Sequence, residues 1–151
     1  MAQTVQQIMT PYPVVVDVAT PAAQCAKLMD HHEIGALGVV RDGRLFGVLT
    51  DRDIVVRAVA RDRDPATVTA GELASTQVVA VAGDALVEDA ERRMVEHAVR
   101  RLFVVADDDR PIGILTADDL TAYRHPDSVV AHQIGEWGLV RADLGFAGQG
   151  D

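Results

Sequence analysis

The sequence predicts an α/β protein made of two β-α-β-β-α units packed as a pseudo-two-fold pair. Three observations carry that expectation. The chain repeats itself at a spacing of about 65 residues. Inside each copy the apolar residues switch between strand-like and helix-like periods. Turn and cap residues fall at the same places in both copies. Met29-Asp-His-His-Glu-Ile-Gly-Ala-Leu-Gly-Val-Val40 aligns with Met94-Val-Glu-His-Ala-Val-Arg-Arg-Leu-Phe-Val-Val105. One inserted residue later, Gly47-Val-Leu-Thr-Asp-Arg-Asp53 aligns with Gly113-Ile-Leu-Thr-Ala-Asp-Asp119, and upstream Val14 to Val18 falls on Val79 to Gly83. Chance does not keep Met, Leu, Gly, Thr and Asp in one order twice.

In the first copy, Val14 to Val18 reads as a short β-branched strand. Thr20 is the expected N-cap of a helix with Pro21 at its first position. Ala22, Cys25, Ala26 and Met29 then form one apolar stripe. Two apolar runs, Ala36 to Val40 and Leu45 to Leu49, flank Asp42-Gly43, a strong hairpin signal. A second helix starts at Thr50 and is expected to carry Ile54, Val55, Ala58 and Val59 inward. The second copy follows suit, with Asp84 as expected N-cap, Val87, Ala90 and Met94 as the stripe, a hairpin around Asp107 to Arg110, and a helix from Thr116. The domains are therefore expected at 4–60 and 69–124, with a polar linker at 61–68 and a tail at 125–151. A unit of under about 60 residues is marginal alone, so the two are expected to pack face to face on their sheets. In the tail, Val130, Ile134 and Trp137 recur at helical spacing, and Gly145 to Asp151 reads as disordered.

Composition narrows the function. The chain has 151 residues, 48% hydrophobic and 25% charged, as in a globular protein. No apolar run approaches the roughly 18 residues needed to span a bilayer, and Met1-Ala-Gln-Thr4 lacks a signal-peptide pattern, so a cytoplasmic protein is expected. A single cysteine, Cys25, rules out an intrachain disulfide and any CxxC site. The net charge of −9 disfavours nucleic acid and anionic membranes, whose binding needs a positive field. No nucleophile elbow, Walker loop or Cys-His pair supports an enzyme.

The motif with chemistry in it is Gly-x-x-Thr-x-x-Asp. A helix starting at Thr50 would point backbone N–H groups and a positive dipole end at a cleft, where phosphate binds readily. The Thr50 hydroxyl can donate to a phosphate oxygen, Asp53 can accept both hydroxyls of a ribose, and Arg52 adds a cation. The same Thr-x-x-Asp spacing is also a capping-box pair that needs no ligand. Both readings stand on the motif alone.

The ordered set Ile8-Met-Thr10, Ile34-Gly-Ala-Leu37 and Gly47 to Asp53, with Val99-Arg-Arg-Leu102 and Gly113 to Asp119 as its second copy, resembles a tandem cystathionine β-synthase (CBS) domain pair, or Bateman module. It also resembles stand-alone two-CBS proteins of the actinobacterial hypoxic-response type. The resemblance covers Thr4 to about Tyr123. It implies a regulatory, non-catalytic module with no required cofactor, binding an adenosine compound (AMP, ADP, ATP or S-adenosylmethionine), dimerising with a second copy and acting on a separate, unidentified effector protein. It places adenine against Val14, Ile34, Gly35 and Ala36, where main-chain groups would read its edge, with Thr50, Arg52 and Asp53 beside ribose and phosphate. The second site would use Val79, Val99, Arg100, Arg101, Thr116 and Asp119. Arg100 and Arg101 would either reach a phosphate or pair with Asp107, Asp108 and Asp109. The chain departs from the family where Leu-Pro-Val is usual: Gly38 and Phe103 replace Pro, and Phe103 is bulky enough to occlude the second pocket. Ala74-Ser75 also replaces Met-Thr. The alternatives are a structural module without ligand and a metal-responsive one. His32 and His97 end equivalent helices, where a cation suits the dipole, and no zinc spacing is present.

Overall fold

In the computed structural model, which describes residues 3–125, two units form whose borders cut across the repeat. One holds residues 3–13 and 79–125; the other is the unbroken stretch 14–78. In chain order the elements are α1 (Val5–Ile8), β1 (Thr10–Pro11), β2 (Val15–Asp17), α2 (Ala22–His32), β3 (Ala36–Arg41), β4 (Arg44–Thr50) and α3 (Asp51–Arg57). A 3-10 turn at Val59–Arg61 precedes α4 (Ala70–Leu73), β5 (Ala80–Ala82), α5 (Val87–His97), β6 (Arg101–Val105), β7 (Pro111–Thr116) and α6 (Ala117–Arg124). The tail readings at Val130, Ile134, Trp137 and 145–151 lie outside the described residues.

The unit of residues 14–78 builds a three-stranded sheet in the order β2-β3-β4, parallel and then antiparallel. Its hairpin turns on Asp42 and Gly43, both at positive φ (53° and 79°), the geometry Asp-Gly favours. Leu37, Val39 and Leu49 on one sheet face pack with Cys25 and Met29 of α2 and Ile54 of α3. The other unit repeats this plan as β5-β6-β7, with β1 added antiparallel on β7. There Leu102, Val104 and Leu115 pack with Val87, Ala90 and Met94 of α5 and Leu120 of α6. The equivalence reaches irregular details. Bulges fall at Val39/Val40 and Val104/Val105. Both long helices end on a left-handed residue, Glu33 and Ala98.

The spatial units differ from the two sequence copies because each copy's leading segment bonds into the unit of the other copy's strands. Thr4 bridges Leu86, and the Val87 N–H donates to the Gln3 carbonyl at 3.1 Å. In the same way Thr69 bridges Pro21, and the Ala22 N–H donates to the Val68 carbonyl at 2.8 Å. These carbonyls serve the exposed donors of the first helical turn. The helices accordingly start later than expected: Pro21 and Leu86, not Thr20 and Asp84, occupy the N-cap positions, and neither makes a side-chain cap. The inward stripes are also narrower. Ala26 is exposed, and Val55 and Val59 are each 57% exposed, while Ile54 and Ala58 face the core. Residues 55 and 59 lie about 100° around the helix from 54 and 58, which takes them off that stripe.

Candidate functional site

Strand β4 hands directly to α3, and β7 to α6, so Thr50 and Thr116 are each the last strand residue and the helix N-cap. Each closes a reciprocal capping box. The Thr50 N–H donates to Asp53 Oδ2 at 2.9 Å and the Asp53 N–H to Thr50 Oγ1 at 3.1 Å. Thr116 and Asp119 do the same at 2.9 and 3.1 Å. A hydroxyl that accepts in this way still has its own proton to donate, and a carboxylate accepting one N–H keeps further lone pairs. The cap and a ligand are therefore compatible.

The helix starts themselves are less open than expected. At α3, seven residues long, the Asp51 N–H donates to the Gly35 carbonyl at 2.9 Å and the Arg52 N–H to Asp51 Oδ1 at 2.8 Å. At α6 the Ala117 N–H donates to the Arg100 carbonyl at 2.8 Å. Those donors are spent within the unit, which leaves the Thr hydroxyl and the Asp carboxylate as the usable groups. The same bonds draw the expected residues together. Gly35 touches the start of α3, Ala36 pairs with Thr50, and the Gly38 N–H donates to the Val14 carbonyl at 3.1 Å. Val14 and Ile34 lie half-buried against the core of their unit, as Val79 and Val99 do against theirs. Part of the main chain expected to read adenine is already engaged, since the Ile34 N–H donates to the Met29 carbonyl at 2.9 Å and the Val99 N–H to the Met94 carbonyl at 3.0 Å.

The two sites differ in charge. Arg57, one turn beyond Asp53, places Nε 3.7 Å from Asp53 Oδ1 and donates from a terminal nitrogen to the Leu73 carbonyl at 2.9 Å. Its Asp-x-x-x-Arg spacing is legible in the sequence but is not among the expected site residues. At Asp119 the cation comes instead from β6, where Arg101 is buried at the position of Ala36. Burial pushes the Asp119 carboxyl above its ordinary value, against the lowering effect of its Thr116 hydrogen bonds; Asp118 adds to the rise and Arg101 opposes it. Arg100 meets Asp118 at 3.8 Å, and not Asp107, Asp108 or Asp109, the partners that one of its two expected readings gave it. Asp118 stands where the first copy has exposed Arg52, so the charge is reversed there. Phe103, 3% exposed, pairs across the sheet with Ala80 and Ile114. It points to the face of β6 that also carries Arg101, where the first copy has only Gly38.

His32 and His97 are the last residues of α2 and α5. The rings of His31 and His32 meet edge-on at 4.9 Å. Among the described residues no three His, Cys, Asp or Glu side chains gather as a metal would need. Cys25 is fully buried, and burial pushes its thiol up to about 11, which makes it an inert core group at neutral pH. Among the described residues no helix is long and apolar enough to cross a membrane.

A CBS domain model matches residues 5–60 and again 70–125. Hypoxic response protein 1 of Mycobacterium tuberculosis is 41% identical over 106 residues, which are 70% of this chain and 73% of that protein. The crystal structure of Hypoxic Response Protein I with two coordinated zinc ions superposes with a TM-score of 0.72 at 38% identity, covering 80% of this chain and 98% of that one. The CBS domain pair of protein MJ0100, in complex with 5′-methylthioadenosine and S-adenosyl-L-methionine, superposes with a TM-score of 0.67 at 25% identity, covering 81% and 99%.

Proposed function

The chain belongs to the CBS domain family, with two such domains in tandem, and from that premise we propose that it is a regulatory module binding an adenosine compound and shifting the state of a separate effector protein. The observation that carries this is the Thr-x-x-Asp box, built twice with the same hydrogen bonds at the end of a strand. In the first site the ribose hydroxyls lie on Asp53 and the phosphates near Thr50 and Arg52, with adenine against Val14, Ile34, Gly35 and Ala36. The second uses Asp119, Thr116, Arg100 and Arg101 with Val79 and Val99. AMP, ADP, ATP and S-adenosylmethionine are the candidate ligands; the adenosyl compounds held by the MJ0100 pair support that class. The role is regulatory, not catalytic, and the partner is neither a membrane nor a nucleic acid. Adenine nucleotides are cytoplasmic metabolites, so a cytoplasmic location goes with this reading. Exposed Val55, Val56 and Val59 supply an apolar face for a second copy of the chain. Light scattering at micromolar concentration is expected to give a homodimer, and a monomer would count against that part.

Calorimetric titration of wild type and Asp53→Ala with the four ligands tests the main reading. Hydrogen bonds to an ionised acceptor contribute about 1.5–3 kcal/mol each, so the substitution should weaken binding by at least about tenfold. It should also cost about 1 kcal/mol of stability through the cap. A module without ligand predicts that stability loss alone, and no binding to wild type at millimolar ligand removes the adenosine reading. Zinc forms a fifth arm, since Hypoxic Response Protein I holds zinc; binding of zinc with none of the adenosine compounds would favour the metal-responsive module.

A further inference from the structure

The tip of the β3–β4 hairpin carries a cluster that the Thr50–Asp53 box does not use. Arg41 and Arg44 stand directly opposite each other across the two strands, which brings their Cβ atoms to about 5 Å. Like charges facing each other in a sheet destabilise it. Both residues are exposed, and among the described residues no carboxylate pairs with either guanidinium. The bulge between Val39 and Val40 leaves Phe46 without a cross-strand partner. Phe46 rests on the core of its unit, and Arg41 lies over its ring, 4.3 Å from the centroid. That stacking holds the Arg41 guanidinium in a fixed plane. With Asp42 and Leu45, these three side chains line an open cleft of about 500 Å³. The second copy has no counterpart. Ala106 and Ile112 stand where the first has Arg41 and Phe46, and its turn carries Asp107, Asp108 and Asp109.

We propose that this cleft is a binding site for a free di- or polyphosphate, separate from the nucleotide box. A terminal phosphoryl group has three acceptor oxygens and close to two negative charges. Both guanidinium forks can engage it at once, whereas a carboxylate is satisfied by one fork. The bound dianion also removes the repulsion between the two arginines. Asp42 leaves the cleft with one positive charge in excess, while the chain as a whole carries −9. The attraction is therefore local, and an extended anionic surface such as a membrane is repelled. Arg44 and Thr50 are the two ends of β4, six residues and roughly 20 Å apart, so one phosphate cannot serve both places.

Pyrophosphate, which offers the box neither ribose nor adenine, is the probe. In calorimetric titrations Arg41→Gln and Arg44→Gln should each weaken its binding at least about tenfold, and Asp53→Ala should leave it unchanged. Arg41→Lys keeps the charge but loses the fork and the stacking, and should weaken binding too. Amide resonances of residues 41–46 should shift on titration while those of residues 50–53 stay put. Arg44→Gln relieves the repulsion, so without pyrophosphate it should melt no lower than wild type, which separates lost binding from lost fold. No binding at millimolar pyrophosphate would overturn the proposal. Shifts centred on residues 50–53, or an equal loss in Asp53→Ala, would overturn it and assign the anion to the box. Equal weakening by Arg61→Gln, an exposed arginine of the same unit, would overturn it as well, because the attraction would then be diffuse.

Discussion

Thr50–Asp53 and Thr116–Asp119 form boxes with the same hydrogen bonds to a tenth of an ångström, yet the side chains around them differ in charge and size. The first carboxylate meets Arg57 of its own helix; the second lies near Arg101, delivered by a neighbouring strand. Beside the first box the strand carries Ala36 and Gly38, and beside the second it carries Arg101 and Phe103. The cap geometry follows from four consecutive residues and survives any change around them. A half-buried carboxylate needs a cation as well, and the element supplying it is free to vary. The strand beside the first box is consequently small and neutral, the strand beside the second bulky and charged.

Substitutions can break or sharpen that contrast. Phe103→Ala is expected to cost about 3–5 kcal/mol in urea unfolding, the usual range for emptying a buried aromatic site. Gly38 has no side chain to lose, so the first copy should owe nothing comparable to this position; a small loss at Phe103 would mean that the wall collapses onto the space. Next come two glycines where the copies should behave alike. A Cβ on Gly47 would stand 2.6 Å from the Ser75 carbonyl oxygen, and one on Gly113 would stand 2.8 Å from the Thr10 carbonyl oxygen and clash with Met9 Sδ. Gly47→Ala and Gly113→Ala should each destabilise by about 1–3 kcal/mol through overpacking. They should also speed hydrogen exchange at Ser75 and Thr10 respectively. Exchange that stays slow at one of them would show that the two leading segments are not held alike.

Thr50→Ala and Thr116→Ala should each cost about 1 kcal/mol, matched because the boxes match, and thermal unfolding of the pair checks this. The smallest effect concerns acidity. The native Asp119 carboxyl is raised above 3.8, so the folded protein holds that proton more tightly than the unfolded chain. Stability from this group therefore falls as pH rises from about 3.8 through the raised value, and the deficit persists above it. Asp119→Asn keeps an oxygen to accept the Thr116 N–H and should flatten that slope in acid titrations of stability. An unchanged slope would place its origin elsewhere.

What was legible in the sequence is what short stretches decide. Asp42-Gly43 announced its hairpin, Thr50 and Thr116 announced their caps, and the stripe of Val87, Ala90 and Met94 announced a helix face. The bonds that a distant carbonyl makes were not legible. Val68 and Gln3 start the two long helices through backbone oxygens, and a backbone oxygen is the same in every residue. Thr20 and Asp84, good caps by type, therefore lie outside the cap positions, which Pro21 and Leu86 occupy. Arg100 is a second case, since nothing in its neighbours marks Asp118 in preference to three consecutive aspartates. The outward turn of Val55 and Val59 had a signal: their angle from Ile54 and Ala58 excludes them from a narrow stripe.

The division of the chain into 3–13 plus 79–125 on one side and 14–78 on the other makes the latter an insertion within the former. Unit 14–78 closes only contacts within one continuous stretch. The interrupted unit must instead bring β1 to β7 across the whole insert, and a free loop of that length carries a closure entropy on the order of 4 kcal/mol. Once the insert has folded, its two ends are anchored and most of that entropy has been lost already. That connectivity predicts an order of assembly in which the continuous unit forms first and the pairing of β1 with β7 follows, and pulse-labelled hydrogen exchange during refolding should therefore protect β3 and β4 before β1.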